Sequence, residues 1–245
     1  MRKFLLIWPL AAILMSATQT KKLTVFMVGD STMANKSAAA FPETGWGQAL
    51  AAFIDTTRLS IDNHAKNGRS TKSFISEGLW SAVENKITPG DYVFIQFGHN
   101  DEKKDKPNVY ARAETLYKAN LKRMIDETRA KGGIPVLFTS IVRRDFAPNR
   151  KLNDTHGAYI VAAKEVAAEA SVVLIDLEAE THLLVERVGP ELSARFYMHS
   201  NPAEYASHPN GVADNTHLSR YGAMEVAALA VECIKKQIPE LAGCF

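Results

Sequence analysis

Short apolar runs and helix-patterned stretches take turns along the chain. Strand-like apolar runs cover positions 23–28, 59–61, 92–97, 134–138 and 172–175. Helices are predicted over 111–131, which Gly132 and Gly133 close, over 157–170, and from Ser219 as N-cap through 236. Such alternation predicts βαβ units and an α/β fold around a mostly parallel sheet. Positions 189–213, GPELSARFYMHSNPAEYASHPNGVA, carry little periodicity and are expected to form a long loop, a kind of segment that in compact domains is functional or disordered. There is no internal repeat, low-complexity tract or Pro-rich linker.

The first residues change the picture. Met1, Arg2 and Lys3 precede an apolar stretch that ends at the small residues Ser16 and Ala17, the layout of a secretory signal peptide. The stretch is shorter than the about 20 residues that a membrane span needs. Cleavage near Ala17 is expected, leaving residues 18–245 as one domain and a periplasmic or secreted protein. Of the 29 basic residues, loss of Arg2 and Lys3 leaves 27 against 27 acids. That balance argues against a polyanion partner, and EKKDK at 102–106 is mixed in sign. Neither nucleic acid nor, once the leader is gone, membrane is expected as a partner. Cys233 and Cys244 are close enough in sequence for one local disulfide in an exported protein, and their spacing fits no zinc pattern.

Candidate chemistry gathers at the strand ends. The run at 23–28 stops at Gly29, and Asp30, Ser31 and Thr32 follow. Asp30 or Ser31 would serve as a helix cap; Ser31 would equally serve as a nucleophile at the carboxyl edge of a parallel sheet, where such folds place ligands. Gly68, in NHAKNGRSTKS after the second run, lacks a Cβ and is able to bring its N–H to an oxyanion, although Ser70 also reads as an ordinary cap. Asn100, in FGHND after the third run, supplies an amide donor that a carboxylate could not replace. Asp214 and His217 stand three residues apart just before the last helix. That spacing lets the carboxylate hold one imidazole nitrogen and leave the other for a proton. Together the residues supply a nucleophile, a base, its orienter and oxyanion donors. Asp30 is read as an organiser of its loop.

GDST at 29–32, Gly68 in NHAKNGRS, GHND at 98–101 and DNTH at 214–217 resemble the four sequence blocks of the SGNH (GDSL-like) hydrolases. The wording GDST, FGHND and DNTHLSRYGA is similar in particular to the rhamnogalacturonan acetylesterases. The resemblance implies a flavodoxin-like, three-layer α/β/α sandwich on a five-stranded sheet. It makes Ser31 the nucleophile, His217 the base and Asp214 its orienter, with the Ser31 N–H, the Gly68 N–H and the Asn100 side chain as the oxyanion hole. It implies a monomeric esterase, without cofactor or metal, that deacetylates a polysaccharide or oligosaccharide such as acetylated rhamnogalacturonan. A short-chain acyl esterase or lipase, or an acetylxylan esterase of the same superfamily, is the alternative.

Other classes fit less well. A metallophosphoesterase would recruit His199, His208 and His217, but Met33 stands where a ligand is wanted and no Asp-x-His precedes Gly29. An α/β-hydrolase needs a Gly-x-Ser-x-Gly elbow, which is missing. A non-catalytic sugar binder would expose Trp46, Trp80 and Tyr197, residues that read as well as core. His64, His156 and His182 are read as structural or surface residues without an acidic partner at a telling spacing.

Overall fold

The computed structural model describes residues 22–245; the expected leader and its cleavage point lie outside them. In chain order the main elements are β1 (Leu23–Gly29), α1 (Trp46–Leu50), β2 (Leu59–Asn63), α2 (Thr71–Ser76), α3 (Leu79–Glu84), β3 (Tyr92–Gln96), α4 (Lys118–Ala130), β4 (Ile134–Phe138), α5 (Ala158–Ala170), β5 (Val173–Ile175), α6 (Leu177–Ser193), β6 (Tyr197–Ser200), β7 (Val212–Leu218) and α7 (Arg220–Gln237).

Strands β1 to β5 form one parallel sheet in the order β2-β1-β3-β4-β5. This is the flavodoxin-like order, and its crevice opens at the carboxyl ends where β1 and β3 lie side by side. Helices cover both faces, so alternate residues of one strand enter different cores. Val25, Met27, Tyr92 and Phe94 pack with α1, α6 and α7, whereas Phe26, Val28, Val93 and Ile95 pack with α2, α3, α4 and α5. Trp46, Trp80 and Tyr197 are buried in these cores and offer no sugar platform.

Several expectations are corrected. The stretch 189–213 is only in part a loop. Its start completes α6, an unpredicted helix that Asp176 caps and that bends at Gly189 (φ 82°) before Pro190. Residues 197–200 then form β6, antiparallel to β7, and 201–211 alone are the connection. Asp214 and His217, just before the last helix as expected, lie on β7; Ser219 does cap α7, accepting from Gly222 N at 3.0 Å. The helix expected from 111 starts with a wide turn over Ala113–Tyr117 before α4. The pairing of Cys233 and Cys244, which the sequence leaves open, is answered: both are free thiols. The three histidines do have acidic partners: His64 meets Asp62 at 2.9 Å, His156 meets Glu102 at 3.1 Å, and His182 lies between Glu178 and Glu186, one helical turn to either side.

Candidate active site

No helix follows Asp30, so neither Asp30 nor Ser31 is a cap. The chain makes one tight turn, with Met33 N and Ala34 N both donating to the Asp30 carbonyl. The Asp30 carboxylate holds that turn from within: its Oδ1 accepts from Thr32 N at 2.9 Å and Thr32 Oγ1 at 2.8 Å. Its Oδ2 faces His99 Nδ1 at 3.4 Å. Burial would raise the Asp30 pKa, but His99 and the Thr32 hydrogen bonds outweigh it and bring it down to about 2. Burial in turn pushes the His99 imidazole down to about 4 against the pull of Asp30. Gly29 serves the approach of two strands. A Cβ there would come within 2.7 Å of the Gln96 carbonyl, so only glycine lets β1 end this close to β3. Gln96, at the end of β3, accepts from Trp46 Nε1 at 2.8 Å and donates to Thr139 O at 3.0 Å. These bonds fix the floor under the turn.

The loop after β2 is tied to the same turn. Asn63 donates to Met33 O at 3.0 Å, and Lys66 N continues the β1 pairing by donating to Gly29 O at 3.0 Å. Gly68 has φ 76°, a conformation that favours glycine, and a Cβ there would meet nothing within 4 Å. Ser70 does cap α2, in a reciprocal capping box with Ser73. The next residue, Thr71, joins this loop to the one after β3, donating to Asp101 Oδ1 through N at 3.0 Å and Oγ1 at 2.5 Å. Asp101 is buried and burial raises its pKa well above the carboxylate range. Asn100 Nδ2 donates to Arg69 O at 3.0 Å, which uses one of its two N–H groups. Among the described residues no protein acceptor takes the Ser31 or Gly68 N–H.

The fourth stretch arrives from the hairpin. Tyr197 pairs with Leu218, and the next residue, Met198, pairs with Asp214, so Asn215, Thr216 and His217 are extra residues in a bulge on β7. The Asp214 Oδ1 accepts from Thr216 N at 2.7 Å and His217 N at 2.9 Å, folding the bulge back on itself. Its Oδ2 meets His217 Nδ1 at 2.7 Å, and His217 Nε2 meets Ser31 Oγ at 3.0 Å. With the Nδ1 proton turned to Asp214, Nε2 is the acceptor for the serine hydroxyl. Burial tends to raise the Asp214 pKa, but the hydrogen bonds from His217 and Thr216 hold it well below the usual carboxylate range. The bulge is also anchored to its surroundings: Asn215 O accepts from Arg144 N at 2.9 Å, and Asn215 Oδ1 meets Arg144 Nη1 at 3.0 Å and His199 Nε2 at 2.7 Å.

The structure thus brings Ser31, His217 and Asp214 into one relay and sets Gly68 and Asn100 on the loops beside Ser31. That arrangement is able to activate a hydroxyl and receive an oxyanion. Sequence reasoning missed the supports: Gln96, Thr71, Asp101 and Arg144. Of these Asp101 and Thr71 lay inside stretches the sequence singles out, GHND and NHAKNGRSTKS, without a role assigned. His199 and His208 do not join His217 around a common point; they bond Asn215 and Ser207. Among the described residues no three His, Cys, Asp or Glu side chains converge as a metal would require.

The sequence profile of the GDSL-like lipase/acylhydrolase family matches residues 27–222, from within β1 to the start of α7. The chain belongs to that family. This GDSL-like acylhydrolase is 42% identical over 216 residues to a rhamnogalacturonan acetylesterase of Bacillus subtilis, covering 88% of this chain and 91% of the relative. Among solved structures, the Bacillus subtilis protein YxiM matches with a TM-score of 0.76 at 29% identity, over 91% of this chain and 58% of the other. An acetylxylan esterase of Geobacillus stearothermophilus shares the fold, with a TM-score of 0.64 at 17% identity over 86% of this chain and 94% of that one.

Proposed function

We propose that the protein is a serine esterase that removes acetyl groups from a carbohydrate, acetylated rhamnogalacturonan or a closely related pectic oligosaccharide, through an acyl-enzyme on Ser31. The observation that carries this reading is the Asp214–His217–Ser31 relay, with steps of 2.7 Å and 3.0 Å. His217 Nε2 takes the hydroxyl proton as Ser31 Oγ attacks the acetyl carbonyl carbon. The carbonyl oxygen becomes an oxyanion that accepts from the Ser31 N–H, the Gly68 N–H and the Asn100 amide. Collapse breaks the bond to the sugar oxygen, which takes the proton from His217 and leaves as an alcohol. Water then attacks the acetyl-serine with His217 as base, releasing acetate and restoring the hydroxyl. Asp214 stays ionised throughout and holds the imidazole in one tautomer.

The substrate class is supported by the 42% identical relative, which is named for rhamnogalacturonan, and by the wall next to the relay. Ser219, two residues after His217 and on the same side of an extended chain, lines a cavity of ≈ 510 Å³ with Arg195, Tyr205, Tyr221 and Phe41. Half-exposed rings and a guanidinium suit a sugar, and we assign the segment 195–213 to the sugar side of the cleft. Pro42, Met198 and Met224 complete an apolar part of the same lining, so chain-length selectivity is read from the assay below. Export through the leader at residues 1–17 fits a polymer that cannot enter a cell, and we place the enzyme outside the cytoplasm. The test is acetate release by the purified enzyme from acetylated pectin fragments, acetylated xylan and aryl esters of graded chain length. Release from the pectic fragments is expected. Good turnover of octanoyl esters with none on acetylated pectin would make the protein a general lipolytic member of its family.

A further inference from the structure

The amide of Asn100 is gripped at both ends. Its Nδ2 donates to the Arg69 carbonyl at 3.0 Å, and its Oδ1 accepts from Lys103 Nζ at 2.6 Å. Lys103 comes back to Asn100 because the chain turns there, with Lys103 N donating to Asn100 O at 3.2 Å. Among the described residues the ammonium has no carboxylate partner: Glu102, its neighbour, is occupied by Arg143 and by His156 Nδ1 at 3.1 Å.

A carboxamide has nearly the same shape when its oxygen and nitrogen are exchanged, so packing alone does not choose between them. The contacts do. In the exchanged orientation the NH₂ group would face an ammonium and the oxygen would face the Arg69 carbonyl, two repulsive pairs in place of two hydrogen bonds. A cation on Oδ1 also draws electron density from the amide and strengthens its remaining N–H as a donor. A charge-assisted bond of this kind is roughly twice as strong as a neutral one. That charge stands behind the position where the oxyanion develops, in a partly buried setting where fixed charges count for more than in water.

We propose that Lys103 is a positioning residue of the oxyanion hole, one that fixes the orientation of the Asn100 amide and polarises it from behind. The proposal rests on the esterase reading of the site but not on the identity of the polymer, so a small neutral aryl acetate is the substrate of choice. Ser31→Ala, assayed in parallel, reports on the esterase reading alone.

The experiment is a double-mutant cycle on kcat. Lys103→Met should lower kcat roughly tenfold with KM nearly unchanged, a fraction of the loss expected when an oxyanion donor is removed outright. In an Asn100→Ala background the same substitution should lower kcat by less than about twofold, because the group it acts through is gone. Lys103→Gln keeps an N–H for Oδ1 without the charge and should recover part of the loss; Lys103→Arg should recover most of it. A merely structural lysine would lower thermal stability and cost as much in the Asn100→Ala background as in the wild type. Equal losses in the two backgrounds, a change confined to KM, or equal losses for Met, Gln and Arg would each overturn the proposal. If Lys103→Met fails to fold, the Gln and Arg variants in both backgrounds decide it by the same criteria.

Discussion

Ser31 and His217, the proposed nucleophile and base, stand on two regions built in different ways. Ser31, Gly68 and Asn100 sit on loops at the carboxyl edge of a parallel sheet that is covered on both faces. Ser31 and Asn100 are 7% and 3% exposed, and behind them lie Asp30, Gln96, His99 and Asp101, all buried. His217 and Asp214 sit on a two-stranded antiparallel hairpin, and their side chains are 33% and 32% exposed. The edge is held by interlocking buried hydrogen bonds, the hairpin by a bulge and the anchors Arg144 and His199. The division suits the proposed chemistry. Oxyanion donors act by not having to move as charge develops, whereas the base must reach the serine, the leaving sugar oxygen and then water. The edge contains a second contrast. Asp30 is stabilised as an anion by two Thr32 bonds and His99, while Asp101, equally buried, is pushed toward its protonated form.

Breaking the contact between the two regions should have the largest effect. Ser31→Ala removes the atom where they meet and should lower esterase turnover by roughly 10⁴-fold or more, with an unchanged thermal midpoint because the hydroxyl supports nothing in the core. A variant that keeps more than about a hundredth of wild-type turnover would separate Ser31 from the chemistry. Damage to the edge alone comes next. Asn100→Ala should lower kcat by about 10²-fold on an aryl acetate with KM steady, and an effect seen only in KM would move Asn100 from the transition state to substrate binding.

The two buried carboxylates sharpen the comparison through pH. Asp30 is depressed in the fold, so its contribution to stability, on the order of 2 kcal/mol, is present above about pH 4 and is lost as pH falls toward about 2. Asp101 is raised, so the folded chain holds a proton that the unfolded chain releases, and its contribution is full below about pH 4 and declines as pH rises. Asp101→Asn removes that titration while leaving an oxygen to accept from Thr71. Denaturation of wild type and variant at about pH 5 and about pH 8 should show wild type losing stability relative to the variant as pH rises; a constant difference would mean that Asp101 is ionised in the fold. The smallest effect expected is none at all. Dialysis against EDTA should leave esterase activity unchanged, and inhibition reversed by a divalent ion would reopen the metal reading.

What the sequence revealed follows from which interactions are local. The central strands β1, β3 and β4 were legible because burial on both faces makes them near-continuous apolar runs; the boundaries moved at the half-buried edge strands, where β2 runs on through Asp62 and Asn63 and Val172 precedes β5. Helix α6 was hidden by Gly189 and Pro190, which read as a break although the helix resumes beyond the bend. β6 was hidden because Tyr197 and Met198 are both buried, so no alternation marks the strand, and its pairing with β7 spans a polar connection. Ser31, Gly68 and Asn100 stood out because each occupies a short polar break after a strand, and Asp214 and His217 because they form a close Asp/His pair in the polar approach to α7. Their supports did not. Nothing in local pattern relates Thr71 to Asp101, Gln96 to Trp46, or Arg144 to Asn215, since each pair meets only after the sheet has formed.

The central claim is that ester cleavage passes through an acyl group on Ser31. It is tested most directly by mixing enzyme with an aryl acetate, quenching in acid within a turnover and mapping the digest by mass spectrometry. The account predicts one acetyl group on the peptide that contains Ser31, formed with a burst of the aryl alcohol and absent from Ser31→Ala. Steady release of acetate with no acetyl on that peptide, or with the label on another residue, would contradict it.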